Sequence, residues 1–230
     1  MKQTPPGGFT LIELLVVMAI IAVLATLVLT QGPALLARAQ MTGTLNNARQ
    51  LYIAGFQMAT DGATNSDATL VWPGADTTNI KTLQDYVSRL VSNNYLQVGD
   101  VPKLFSAPGA ACTATTSQGA NNTTTVTLSG TSALKVYPIT DTDPSNAIFA
   151  VSANYEYDTA LDATKSPYGD KGFVIVRKGG DASSLRKNNA VVSGTGSSAT
   201  STFESTVGKK PSEAPGTVTP GDPTGVLRFP

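Results

Sequence analysis

One carboxylate, Glu13, stands inside the mouth of a long apolar run. The run reads Gly7-Gly8-Phe9-Thr10-Leu11-Ile12-Glu13-Leu14, and Leu14–Ala25 continues it without a polar side chain. As helix, Phe9–Thr30 would reach about 33 Å, enough to cross a hydrocarbon core about 30 Å thick. A charge at that depth is costly, requires a partner and marks function. Gly7-Gly8 is a small, flexible place for a protease to cut. Cleavage after Gly8 would free an amine on Phe9, the natural counter-charge for Glu13 on a neighbouring copy. Ala19, Ala22 and Ala25 recur every third residue and would let such helices approach closely. The segment reads as built to be cut and then to assemble.

The string Gly8, Phe9, Thr10, Leu11, Ile12 and Glu13 resembles the cleavage-and-methylation signature of the type IV prepilin family, which includes the pseudopilins of type II secretion. The specific likeness covers residues 7–30, and nothing beyond residue 70 carries a signature. The resemblance implies that residues 1–8 are a leader. A membrane prepilin peptidase would cut between Gly8 and Phe9 and methylate the amine of Phe9. It further implies a homo-oligomeric filament raised on an inner-membrane assembly platform. The helix of residues 9–30 would lie first in lipid and then in the filament core, with the head in the periplasm. A secretory signal peptide or a plain anchor is the competing reading. The leader offers only Lys2 as a basic residue, and the exit-like Ala37-Arg38-Ala39 comes late and carries an arginine. Neither accounts for Glu13.

Composition narrows the function further. Lys plus Arg and Asp plus Glu balance at 16 each, so no basic excess exists to hold nucleic acid. The absence of histidine removes Ser-His-Asp and Cys-His nucleophile arrangements and His-containing zinc sites. Cys112 is the only cysteine, so no disulfide can form within the chain. Many pilins staple their C-terminal region with a cysteine pair, and this chain departs from that pattern. With no neighbouring base, Cys112 reads as a packed thiol. No phosphate loop or nucleophile elbow is present, and the chain does not read as an enzyme.

The segments predict an α+β order, stem first and antiparallel strands after. Gly32-Pro33 should kink or locally melt the stem helix. Residues 31–62 follow as an amphipathic half, with Ala48, Leu51, Tyr52, Gly55, Met58 and Ala59 on one face. Asp61-Gly62 reads as its stop. Residues 63–189 should form the head, with a helix near Ile80–Leu96 and strands at Thr124–Leu128, Ala133–Ile139, Ala147–Ala153 and Gly172–Arg177. The first two strands flank Ser129-Gly130-Thr131-Ser132 and suggest a hairpin. Residues 190–230 are rich in Ser, Thr, Gly and Pro and predict a loosely draped tail, except that Val226–Phe229 could dock as an edge strand.

Two constellations remain. Asp141 and Asp143, in Asp141-Thr142-Asp143-Pro144-Ser145, alternate oxygen ligands like the start of a calcium loop. The loop lacks the glycine and distal glutamate of an EF-hand, and an Asp-Pro turn accounts for it as well. Tyr137, Tyr155, Tyr157 and Tyr168 suggest a sugar platform or packing on a half-buried sheet. The leading reading is a structural subunit of a type II secretion pseudopilus or related type IV filament, with no cofactor except a candidate calcium. The alternatives are a minor pilin for adhesion or DNA uptake, and a membrane-tethered exported enzyme or binding module.

Overall fold

The computed structural model describes residues 8–119 and 124–229. The leader as far as Gly7 lies outside them. The chain divides into two units, Met1–Ala37 and Arg38–Pro230. Helix α1, Leu11–Asn65, contributes to both.

In the first unit the helix is apolar and bare. Every side chain from Leu11 to Leu29 is exposed, and this stretch is long and apolar enough to cross a membrane. The backbone stays helical through Gly32 and Pro33, so the local melting expected there is absent. A proline removes one hydrogen bond from the ladder, and the turns on either side keep theirs.

In the second unit α1 turns amphipathic. Met41, Thr44, Ala48, Leu51, Ala54 and Met58 are buried at spacings of three and four, with Ala59 beside them. The helix runs past the expected stop at Gly62. Ser66 takes the left-handed conformation instead, with φ of 56°, and the Asp67 N–H reaches back to the Gly62 carbonyl at 2.9 Å. That is a Schellman closure with serine in the glycine position. Gly62 has a different job: a Cβ there would stand 1.8 Å from the Leu70 carbonyl oxygen, so the following loop can cross the helix only above a glycine.

Helix α2, Leu83–Ser92, is shorter than the Ile80–Leu96 pattern because Thr82 caps it. Thr82 accepts from the Asp85 N–H at 3.2 Å, and Asp85 accepts from the Thr82 N–H at 2.9 Å. Leu83, Tyr86, Val87, Leu90 and Val91 form its buried face. A short helix α3, Val101–Phe105, precedes the strands.

Strands β1, Cys112–Gln118, and β2, Thr124–Gly130, make an antiparallel pair. The expected hairpin between Thr124–Leu128 and Ala133–Ile139 therefore does not form. β3, Leu134–Val136, pairs with β4, Ile148–Ser152, and Ser129–Ser132 links two separate sheets. β1 escaped the reading because Thr, Ala and Ser give it no alternating apolar pattern; only Cys112 is buried. β3 is shorter than predicted, since Pro138 cannot donate to a ladder.

The main sheet is an antiparallel run in the order β3-β4-β5-β6, with β5 at Phe173–Arg177 and β6 at Ala182–Leu185. Every residue of β4 and β5 is buried. That requires cover on both faces. The α1 side carries an aromatic cluster: Phe149 packs on Tyr52 at 5.8 Å, Trp72 at 5.7 Å and Tyr86 at 6.4 Å between ring centres. Phe149 sits at a bulge, since Ile148 and Ala150 pair with the adjacent residues Arg177 and Val176.

The second face is covered by the supposed tail, which is the main correction to the sequence reading. Helix α4, Ser197–Thr206, and the segment after it bring Phe203 and Val207 into the core with Tyr137, Tyr155, Tyr157, Phe173 and Ile175. Val218 and Val226 pack against the same cluster. The composition of residues 190–230 is poor in apolar side chains, but Ala190, Val192, Phe203, Val207, Val218 and Val226 all join this one cluster. Val226–Phe229 docks beside β3, though as an isolated bridge and not the edge strand expected: Val136 and Leu227 exchange two backbone hydrogen bonds at 2.9 and 2.8 Å.

Candidate functional site

The N-terminal site is built from Gly8 to Glu13. Gly8 is exposed, and a Cβ added there would meet nothing within 4 Å. Nothing described inside the chain requires glycine at this position. Phe9 follows with 89% of its surface exposed. Thr10 then caps α1. The Glu13 N–H donates to Thr10 Oγ1 at 3.3 Å, while the Thr10 N–H donates to Glu13 Oε2 at 2.8 Å and the Thr10 hydroxyl to the same oxygen at 2.9 Å. This reciprocal box satisfies two end donors of the helix. The sequence reading passed over it, although Thr10-Leu11-Ile12-Glu13 carries the Thr-x-x-Glu signal. Among the described residues no hydrogen bond reaches Glu13 Oε1.

The Asp141–Ser145 loop is arranged as a turn. Asp143 Oδ2 accepts from the Thr140 N–H at 2.7 Å and its hydroxyl at 2.9 Å, and Oδ1 accepts from the Ser212 N–H at 3.1 Å. The Lys178 ammonium donates to the carbonyls of Asp141 and Asp143, each at 2.7 Å. Among the described residues no group of three or more carboxylate, thiol or imidazole side chains could hold a metal. Asp143 and the two carbonyls are thus engaged within the turn, by Thr140, Ser212 and Lys178.

The four tyrosines are packing residues, all buried. Their hydroxyls act as tethers. Tyr155 donates to the Ala190 carbonyl and Tyr157 to the Gly208 carbonyl, each at 3.0 Å, and Tyr137 to Asp222 Oδ1 at 2.7 Å. Tyr168 bonds Thr44 of α1. Three of the four thus hold the C-terminal segment to the sheet. Cys112 is buried, which pushes its thiol up and away from reactivity.

A second polar centre had no signal in the sequence. Lys135 on β3 meets Asp222 at 2.5 Å from Nζ to Oδ2, with side chains only 6% and 13% exposed. Burial pulls the Lys135 ammonium down, against the attraction of Asp222. Burial also holds the Tyr137 phenol well above its ordinary range, so it remains a donor to Asp222. A cleft of about 390 Å³ opens beside the pair, lined in part by Ser132, Glu156, Lys165 and Arg228. Residues 85 and 87 apart in the chain meet here, a proximity that only the folded sheet creates.

With this geometry in view, residues 6–29 match the family model for the prokaryotic N-terminal methylation motif. The chain is 47% identical over 57 residues to a probable minor fimbrial protein of Dichelobacter nodosus. That match takes in 25% of this chain and 36% of the other, so the chain spans about a third of the length of the curated relative it matches. No solved structure matches. The chain therefore carries a type IV pilin-like N terminus, with the methylation motif running into an apolar helix, ahead of an α+β head.

Proposed function

We propose that this chain is a filament subunit of the type IV class, processed between Gly8 and Phe9, methylated at Phe9 and assembled through its apolar helix. One observation carries the reading: Leu11–Leu29 leaves a whole helix of apolar side chains bare, and its single carboxylate stands one turn inside the mouth. Such a surface needs lipid before assembly and copies of itself after it. Gly8 supports the processing step. The residue is exposed with open space around its Cα, so it is accessible to a peptidase, and the peptidase's own site would be what excludes a side chain there.

In this reading Glu13 fixes the stagger between subunits. Thr10 already occupies Oε2, and the amine of a neighbouring Phe9 would pair with the carboxylate from the other side. The pairing would offset the desolvation of both charges. Gly32 and Pro33 would be the place where the stem yields as helices pack. The anchor would lie in the inner membrane with the head in the periplasm, and the partners would be a prepilin peptidase and an assembly platform. A pseudopilus subunit and a minor pilus subunit share all of this chemistry. The Dichelobacter nodosus relative is named a probable minor fimbrial protein, and its match, confined to 57 residues, supports the two readings alike.

The test combines N-terminal sequencing of the mature protein with filament yield from Glu13→Val cells. The expected result is a mature chain beginning at methylated Phe9. In the variant, normal mature protein should accompany lost or disordered filaments. A chain that retains Met1 would overturn the processing step, and normal filaments from Glu13→Val would overturn the assembly role.

A further inference from the structure

We propose that Lys135 and Asp222 join in an intramolecular isopeptide bond, which closes the head covalently from β3 to the C-terminal segment. The inference stands apart from the filament reading, because it concerns only the head.

The reacting atoms are already in contact, with Nζ 2.5 Å from Oδ2. Both side chains are nearly enclosed, which disfavours the ammonium–carboxylate form that dominates in water. Burial pulls the Lys135 ammonium toward the neutral amine that the reaction needs, beside an oxygen 2.5 Å away that can take its proton. The third group is Tyr137, whose hydroxyl donates to the other oxygen, Oδ1, at 2.7 Å. That is where negative charge develops when an amine adds to the carboxyl carbon.

The atoms balance with loss of one water. A proton passes from Nζ to Oδ2, leaving an amine beside a carboxylic acid. The amine lone pair attacks Cγ and forms the C–N bond, while Tyr137 holds Oδ1. A second proton then moves from nitrogen to Oδ2, the oxygen already bonded to Nζ. The Cγ–Oδ2 bond then breaks, and water departs into the cleft. No oxidant or further reactant is needed.

The fold gives such a bond a purpose. Cys112 is the chain's only cysteine, so a disulfide within the chain is impossible. The segment after Val207 nevertheless packs Val218 and Val226 on the core, and isolated bridges tie Lys209 to Ala147 and Leu227 to Val136. A link at Asp222 would close a long loop, where a crosslink restricts the unfolded chain most.

Intact mass spectrometry and tryptic mapping of the purified full-length chain test the proposal. The expected wild-type mass is one water below that of the processed sequence. A branched peptide should join the Lys135 and Asp222 segments, with no cleavage after Lys135. Lys135→Arg keeps the charge pair but cannot form this amide, and should show the full mass. Asp222→Asn should give the same branched product with loss of ammonia instead of water. A wild-type chain of full mass, yielding separate linear peptides, overturns the proposal.

Discussion

The hydroxyl of Tyr86 lies 2.3 Å from where a Cβ on Gly55 would stand, so α1 and α2 fit together only because residue 55 has no side chain. That hydroxyl is buried and has no hydrogen-bond partner among the described residues. Gly55→Ala should therefore cost about 1–3 kcal/mol through overpacking, despite the gain of about 1 kcal/mol that alanine brings inside a helix. Tyr86→Phe removes both the obstruction and the unpaired oxygen. The next neighbours of the added Cβ are then Phe149 Cζ at 3.4 Å and the ring carbon Cζ of residue 86 at 3.6 Å, ordinary contacts. The double variant should be at least as stable as the wild type in thermal unfolding. If it melts no higher than Gly55→Ala alone, the steric account fails.

Thr10 and Glu13 share one capping box, so they should fail together in assembly but to different degrees. Thr10→Ala removes the hydroxyl and leaves the backbone N–H, at a cost of about 1 kcal/mol to the helix start. Processing and insertion should persist, since Gly8 and the apolar run are intact. Filament yield should fall between wild type and Glu13→Val. A yield equal to that of Glu13→Val would mean that the hydroxyl, and not the charge, governs the joint.

Lys178 should matter more to the Asp141–Ser145 turn than calcium does. Its ammonium holds two carbonyls at 2.7 Å, and Lys178→Met would leave them without that donor. The expected loss is about 1–3 kcal/mol. Adding calcium, or a chelator, should leave the melting temperature of the wild-type chain unchanged. A clear rise with calcium that vanishes in Asp141→Ala would show an ion site after all.

Asp76 gives a stability difference with a defined pH sense. Arg89 bonds Asp76 Oδ2 at 2.7 Å and the Thr69 carbonyl at 2.8 Å, pinning the loop before α2. The Arg89 hydrogen bond holds the Asp76 carboxyl below its ordinary value. A depressed carboxylate stabilises fully above the unfolded value, near 3.9, and loses that contribution as pH falls through the folded one. Asp76→Asn should be less stable by about 1.5–3 kcal/mol at neutral pH. Chemical denaturation should show the gap closing from about pH 4 downward. A gap that is constant with pH would rule out an ionic origin.

The N-terminal motif was legible because its pattern is local. Gly8, Phe9 and Glu13 lie within six consecutive residues, and an apolar run longer than a membrane is thick has few other uses. The buried face of α1 was legible for a similar reason, since Leu51, Gly55 and Met58 repeat with the period of a helix. Even there the Thr-x-x-Glu box went unread, although both partners were visible.

Strand partners and the C-terminal segment were decided only by tertiary structure. β1 has no apolar alternation, so its pairing with β2 depends on backbone ladders and on α2, where Ser88 and Gln84 bond Val126 and Leu128. Phe203, Val207, Val218 and Val226 are spread through a polar stretch too sparsely to signal a core. Each is recruited because β4 and β5 are apolar on both faces and one face would otherwise meet water. The same docking brings Asp222 to Lys135 and Tyr137. Sequence carries short-range periodicity and motif spacing, whereas a contact between residues 87 apart exists only once a sheet has formed to bring them together.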